Sequence, residues 1–523
     1  MKALKESNEK IEVKYKDNSL LILFLLIGIG FLIRLYYIPF QVPISLDGID
    51  YFSYTVAINK EGYFPEGILG VNFGWSTFLS PIFSLWGSNE MLELMNIQRI
   101  FSSVISVFTA VPIYFLCKTF FKKNISILGA ALFLFSPRII ENSVLGVSDA
   151  IYIFFVAVTI MFVFVKETKL FYLSFVFAAL AGFTRYEGLL LIFPILIAFF
   201  IRKDFQKISI IRASLGVILF FSIIILINAT AYEQTNLNIL SPLLGGANYV
   251  SYYVLSDNSD SDDQFFGDNV ENRFQVFVYN SATGFVKYLG WIMIPILGFF
   301  IIPGLFLTGK KPTKNKMIFL SFIIFISITS LYAYGRGFHD TRYLYPLIPI
   351  FVLFACNFFN YLMKYDFKKI MLLTIFAVII SSFIFVEYRN PDYVYESEMY
   401  DATLFLTNTA DGVNNYHGNK YVKVADLQNI WPELPPKEEN GKIKLITEKF
   451  FVGGFDEPLE YIRFNEDKGL THLLIKEGDK KGFFDDIFVN EGNYPFLEKI
   501  YDSNDSDKTT KYKIFKINYD ELK

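Results

Sequence analysis

The sequence predicts a mainly α-helical, polytopic membrane protein of about eleven transmembrane helices, followed by a small C-terminal α/β domain. Three observations predict it. Of 523 residues, 53% are hydrophobic and only 19% charged, against roughly a quarter charged in a soluble globular protein. Apolar runs long enough to cross roughly 30 Å of hydrocarbon recur from Leu20 to Val386 and then cease. After Glu387 the chain turns polar, with short strand-like runs between helix-compatible stretches. The net charge of −3 leaves no basic footprint for a nucleic-acid partner.

Residues 1–18, "MKALKESNEKIEVKYKDN", mix both charge signs and form an N-terminal tail. The apolar run behind them lacks a small-residue cleavage site and is long for a signal-peptide core, so it is read as a retained first span. Spans are expected near 19–37, 98–117, 124–140, 148–165, 170–183, 187–201, 208–230, 286–308, 316–334, 343–363 and 369–387. Two of them, 170–183 and 187–201, are short for a full crossing. The connections "CKTFFKKN", "VKETKL", "IRKDFQK", "LTGKKPTKNK" and "MKYDFKK" all carry Lys or Arg. By the positive-inside tendency these loops are cytoplasmic. The alternate set is then extracytoplasmic: 38–97, the acidic 231–285, the "GRGFHDTR" turn and everything after 388. The chain divides into a cytoplasmic tail 1–18, a transmembrane domain 19–387 and an extracytoplasmic domain 388–523 of a cell-membrane protein.

In that last domain "YVKVAD", "KIKLITE", "HLLIKEG" and "KYKIFKINY" read as strands. "EPLEYIRFNEDKG" and "PFLEKIYD" read as helices, and the alternation argues for a small α/β fold. Cys117 and Cys356 both fall in apolar segments and fit neither a disulfide framework nor a metal cluster.

The chemistry sits in ionisable residues at the extracytoplasmic ends of spans, where a charge is costly and tends to face a cavity. "VPISLDGIDYFSY" supplies Asp47 and Asp50; "SPRIIENSVLGVSD" supplies Arg138, Glu141 and Asp149. "GFTRYEGLL" supplies Arg185 and Glu187; "YGRGFHDTRYLYPLIP" supplies Arg336, His339, Asp340, Arg342 and Tyr343. Plainer readings stand beside these. Asp50 also reads as a solvated or capping acid, Arg185 and Glu187 as a mutually neutralising pair, and His339 as a structural donor. The "DNSDSDD" run reads as a solvated loop, because the Gly and Glu of an EF-hand loop are missing. Asp47, Glu141 and Asp149 leave a divalent ion open, although no metal spacing in the sequence requires one, and no other cofactor is indicated. Together the residues have a shared logic. A carboxylate takes a proton from an acceptor hydroxyl, and arginines hold a phosphate through a planar, permanently charged fork. That pairing suits a sugar donor carried on a polyprenyl phosphate. Gly48 leaves space beside Asp47 for an acceptor. Tyr51, Phe52 and Tyr54 are expected to anchor a short helix at the membrane interface.

"SLDGIDYFSY", "NFGWSTFLSP", "QRIFSSVISVFTAVPIYFLCKTFF", "SPRIIENSVLGVSDAIYI", "RYEGLLLI" and "DTRYLYPLIP" together resemble the GT-C membrane glycosyltransferases. The nearest likeness is to archaeal proteins similar to dolichyl-phosphate-mannose protein mannosyltransferases and to aminoarabinose lipid A transferases. The resemblance covers about 19–387. It implies an inverting hexosyl- or pentosyltransferase that takes a sugar such as mannose from a polyprenyl- or dolichyl-phosphate donor. The acceptor would be a protein hydroxyl or a lipid-linked glycan, within surrounding membrane lipids. It implies Asp47 as the catalytic base with Asp50 orienting it, and Arg138, Arg185 or Arg342 as phosphate ligands. Glu141, Asp149, Glu187, His339, Asp340 and Tyr343 then support them. Protein mannosyltransferases show adjacent Asp-Glu in the first loop, whereas Gly48 follows Asp47 here. The "WWDYG"-type signature of oligosaccharyltransferases is missing as well. A transporter or flippase of lipid-linked saccharides is the rival reading, yet no inverted repeat or pair of broken helices marks the sequence. A non-catalytic envelope scaffold is the other.

Overall fold

The computed structural model describes residues 18–61, 73–203, 207–235, 241–255, 272–307, 313–362, 367–389, 392–410, 415–431, 455, 457–478, 482–506 and 508–522. The tail 1–17, the acidic run 256–263 and the expected strand 442–448 lie outside them.

Helix α1, Ser19–Tyr37, matches the expected first span. It stops because Pro39 forces the preceding Ile38 into an extended conformation, at φ −71° and ψ 121°. The following 38–97 segment is more structured than a loop. It carries α2, Asp47–Glu61, and α3, Phe73–Trp86, packed on one another. Helix α4, Met91–Phe108, begins ahead of the expected span and continues through Ala110–Phe120, giving a 30-residue apolar unit. Lys123–Leu134 is bent by 52° from the short helix Pro137–Ser143, whose first turn Pro137 presets.

The expected span 286–308 is replaced by Arg273–Met293 and Leu297–Phe306, which meet at 112°. The break falls beside Pro295, which cannot donate to a helix ladder. The short expected spans 170–183 and 187–201 meet at Arg185, after which a 3-10 turn, Tyr186–Leu191, leads into Ile192–Lys203. Among the described residues, six helices are long and apolar enough to cross a membrane, or eight if each bent pair is one span. Asp149–Val163 and Thr168–Thr184 are shorter apolar helices. The chain is a multi-pass membrane protein. Lys123–Leu134 and Asp149–Val163 are apolar all round and buried in the bundle. Lys207–Thr235 and Phe367–Arg389 instead expose Leu226, Leu373 and Phe376, a face that suits hydrocarbon.

Beyond the last long apolar helix, Asp392 caps Tyr393–Thr409 by accepting from the Val394 and Tyr395 amides. A four-stranded sheet follows, with strands β1 (Tyr416–His417), β2 (His472–Lys476), β3 (Leu497–Asp502) and β4 (Tyr512–Ile517) in the order β1-β2-β4-β3. The β1–β2 pair is parallel and the others antiparallel. A separate core of Tyr461, Ile475, Phe484, Ile487 and Phe515 lies against the sheet.

Two expectations are corrected in this part. "YVKVAD" is not a strand but enters the helix Val422–Ile430. There the Asn419 side chain accepts from the Tyr421 amide at 2.9 Å, and Val424 and Leu427 bury one turn apart. "PFLEKIYD" is not a helix but contributes β3, recruited by β4 with an irregularity between Lys499 and Tyr501.

Candidate functional site

One face of α4 grips the linker between α1 and α2. Arg99 Nη1 donates to the Pro39 and Val42 carbonyls at 3.0 and 2.7 Å, and Asn96 Nδ2 to the Phe40 carbonyl at 2.9 Å. The Ile44 amide donates to Met95 Sδ at 3.4 Å. Gln98 Nε2 ties the start of α2 to the next turn, donating to the Gly48 and Gly146 carbonyls at 3.0 and 2.7 Å. Gly146 takes a φ of +72°, a conformation glycine adopts without strain. Leu46 sits at φ +53°, an uncommon conformation for a side chain of its size, directly before Asp47. The backbone is therefore over-determined where it presents the acid that opens α2.

Asp47 faces a cavity of about 520 Å³. Its walls gather residues that the sequence spreads over hundreds of positions: Asp47, Arg138, Glu141, Asp340 and Arg342 all line it. Arg342 Nη1 and Nη2 both reach Asp47 Oδ2 at 3.3 Å, and Nε reaches Asp340 Oδ2 at 2.6 Å. Asp340 also caps the 3-10 turn Thr341–Leu347 by accepting from the Arg342 amide at 2.8 Å. Arg138 Nη1 lies 3.2 Å from Glu141 Oε2, and Arg389 Nε lies 2.9 Å from Glu141 Oε1. Asp47 is 62% exposed and Arg342 30%, so both remain open to a ligand.

The Asp149 group sits beside the cavity rather than in it. Arg185 Nη1 holds Asp149 Oδ1 at 2.6 Å, and Arg185 Nη2 holds Glu187 Oε1 at 2.8 Å. Asn142 Nδ2 donates to Asp149 Oδ2 at 3.0 Å. Asn142, which lines the cavity, and a 3.9 Å contact from Arg342 Nη1 to Asp149 Oδ2 link this group to it. Tyr343 borders the same crevice. His339 packs its ring near Tyr288 and does not line the cavity.

Several expected roles change. Arg185 is committed to two buried carboxylates and is not on the cavity wall, so it fits charge balance rather than phosphate binding. Asp50 turns away from Asp47 and pairs with Lys423 Nζ at 2.8 Å, tying α2 to Val422–Ile430. Burial pushes the Asp50 carboxyl above its ordinary value, Lys423 opposes this, and Asp47 adds to it. Gly48 does not open space for an acceptor: a Cβ there would stand 2.3 Å from Ile44 Cγ2 and 3.2 Å from the Leu145 carbonyl. Tyr51, Phe52 and Tyr54 are buried instead of lying at an interface, with Phe52 stacked on Trp431 and the Tyr51 hydroxyl on Ser148. Asp47, Glu141 and Asp149 do not converge; among the described residues no group of three His, Cys, Asp or Glu is placed to hold a metal ion.

Arg99, Arg389, Glu396 and Lys420 also line the cavity, and sequence reasoning missed them. For Arg99 a signal existed, since an arginine inside an apolar span marks a cavity or a functional contact.

Residues 80–232 match the family described as dolichyl-phosphate-mannose-protein mannosyltransferase. No curated protein matches the chain by sequence. Among solved structures, the Archaeoglobus fulgidus oligosaccharyltransferase in complex with Zn and sulfate superposes with a TM-score of 0.55 at 13% identity. The match covers 94% of this chain and 72% of that one. The same enzyme tethered by a disulfide to an acceptor peptide containing the NVT sequon gives 0.52 at 12% identity, over 95% and 74% of the two chains. The fold is that of the polytopic GT-C enzymes. With the matched segment, it makes the chain similar to the GT-C membrane glycosyltransferases.

Proposed function

We propose that the chain transfers a sugar from a polyprenyl-phosphate donor to an acceptor hydroxyl within the cavity at Asp47. The observation that carries this reading is the juxtaposition of the Asp47 carboxylate and the Arg342 guanidinium, 3.3 Å apart on one cavity wall. Asp47 takes the proton of the acceptor hydroxyl. The acceptor oxygen attacks the anomeric carbon as the bond from that carbon to the phosphate oxygen breaks on the opposite face. The product is inverted, and the electron pair leaves on the polyprenyl phosphate. Arg138, Arg342 and Arg389 stabilise that departing anion through preset donors. Arg138 has a buried Nε without a hydrogen-bond partner among the described residues, and it lies over the Phe385 ring at 4.8 Å. Asp340, Glu141 and Asp149 fix the arginines' directions.

Mannose is the sugar named by the family matching 80–232, and it supports a hexosyl donor as the first to test. Acceptors are a protein hydroxyl or a lipid-linked glycan. The Lys-rich connections support a cytoplasmic N-terminus and an extracytoplasmic 388–523 domain set over the transmembrane domain 19–387. Purified protein supplied with polyprenyl-phosphate mannose and cell-envelope acceptors should release free polyprenyl phosphate in step with glycan formation. Donor left intact across a panel of polyprenyl-phosphate sugars would end the proposal.

A further inference from the structure

Among the described residues, five cations and four carboxylates line the cavity: Arg99, Arg138, Arg342, Arg389 and Lys420 against Asp47, Glu141, Asp340 and Glu396. Four of the cations are matched. Arg138 and Arg389 share Glu141, Arg342 holds Asp47 and Asp340, and Lys420 Nζ holds Glu396 Oε1 at 2.7 Å. Arg99 is the remainder, with no carboxylate partner among the described residues.

Arg99 is 4% exposed, on an apolar helix. Nη1 is spent on neutral acceptors: the Pro39 and Val42 carbonyls and Asn96 Oδ1 at 3.1 Å. Nε is buried without a hydrogen-bond partner among the described residues. No hydrogen bond of Nη2 exists among the described residues. A buried charge ordinarily has a counter-charge, because leaving water costs several kcal/mol per ion. Here the cavity that Arg99 lines is open to a counter-charge.

We propose that Arg99 forms a second anion subsite of this cavity, which receives a phosphate or carboxylate group of the acceptor. The subsite stands apart from the donor-phosphate arginines, which lie on Pro137–Ser143, Thr341–Leu347 and Phe367–Arg389 and share carboxylates that Arg99 does not touch. The inference rests on the proposed function only in taking those arginines as the first anion site. It favours an acidic acceptor over a neutral hydroxyl.

The test uses the full chain in detergent, saturated with farnesyl phosphate and then titrated with inorganic phosphate by calorimetry. Wild type should take up a further phosphate. Arg99→Gln should weaken that second event by roughly tenfold or more, as expected for a hydrogen bond to a charged group, while farnesyl phosphate still binds. Arg99→Lys should fall between them. Repeating the titration with acetate identifies the group, the tighter anion naming it. No second phosphate or acetate on wild type overturns the proposal, and this holds even if Arg99→Gln does not fold. So does a second event unchanged by Arg99→Gln, or loss of farnesyl phosphate together with it, which would assign Arg99 to the donor site. Failure of farnesyl phosphate to bind, with Arg99-dependent phosphate uptake intact, would count against the donor reading alone.

Discussion

Arg342 is the residue on which the proposed donor site turns, and its replacement by lysine separates charge from shape. The guanidinium reaches Asp47 with two nitrogens and Asp340 with a third, and it passes 3.9 Å from Asp149. An ammonium keeps the charge but loses the planar fork whose separate nitrogens reach Asp47 and Asp340. A hydrogen bond to a charged group contributes about 1.5–3 kcal/mol. Arg342 is nearly a third exposed, so solvent screening lowers the figure. The expected loss is about 1–2 kcal/mol of donor binding, roughly 5–30-fold in affinity. Binding of polyprenyl phosphate to purified Arg342→Lys and Arg342→Ala, beside wild type, measures it directly. Unchanged affinity in both variants would remove Arg342 from the phosphate site and leave it as a structural partner of Asp340.

Gly48→Ala should destabilise the protein by about 1–3 kcal/mol, as overpacking does, because its Cβ would meet the buried Ile44 at 2.3 Å. A thermal midpoint equal to wild type would show that Ile44 swings aside. In the C-terminal part, burial pushes the Asp426 carboxyl up to about 6 from 3.8. A raised carboxyl penalises the fold where it is ionised, above about 6, and the penalty fades as pH falls through 6 towards 4. Asp426→Asn should therefore stabilise the protein at neutral pH by about 1 kcal/mol, after discounting for partial exposure. The gain should shrink on acidification, and no gain at pH above about 7 in thermal unfolding would refute this sign. For sidedness, a reporter active only in the cytoplasm and fused after Lys523 should be silent. Activity there would invert the assignment.

The long apolar helices were legible because hydropathy is summed over many residues: α1 begins and ends where its composition says. The position of the proposed base was legible too, since Asp47 stands just past a proline-bounded span and opens a helix. What surrounds it was not. Arg389 reads as an ordinary cation at a span end, and Glu396 and Lys420 belong to a segment without any motif; only the fold returns them to Asp47. Asp50 was misread because the three-residue spacing that puts it near Asp47 says nothing of Lys423, far along the chain. The swapped strand and helix around 421–426 and 497–502 have the same origin. Short stretches take the form their neighbours impose: a turn closed by the Asn419 side chain ahead of the helix for one, an antiparallel partner for the other.

The central claim is that Asp47 carries the proton in sugar transfer. Asp47→Asn is nearly isosteric and leaves a neutral amide facing Arg342, so folding and donor binding should persist. Turnover with donor and acceptor both saturating should fall by roughly 10²–10⁴, the usual cost of losing a general base. Near-normal turnover in that variant would contradict the account and move the base to Glu141, the next carboxylate on the cavity wall.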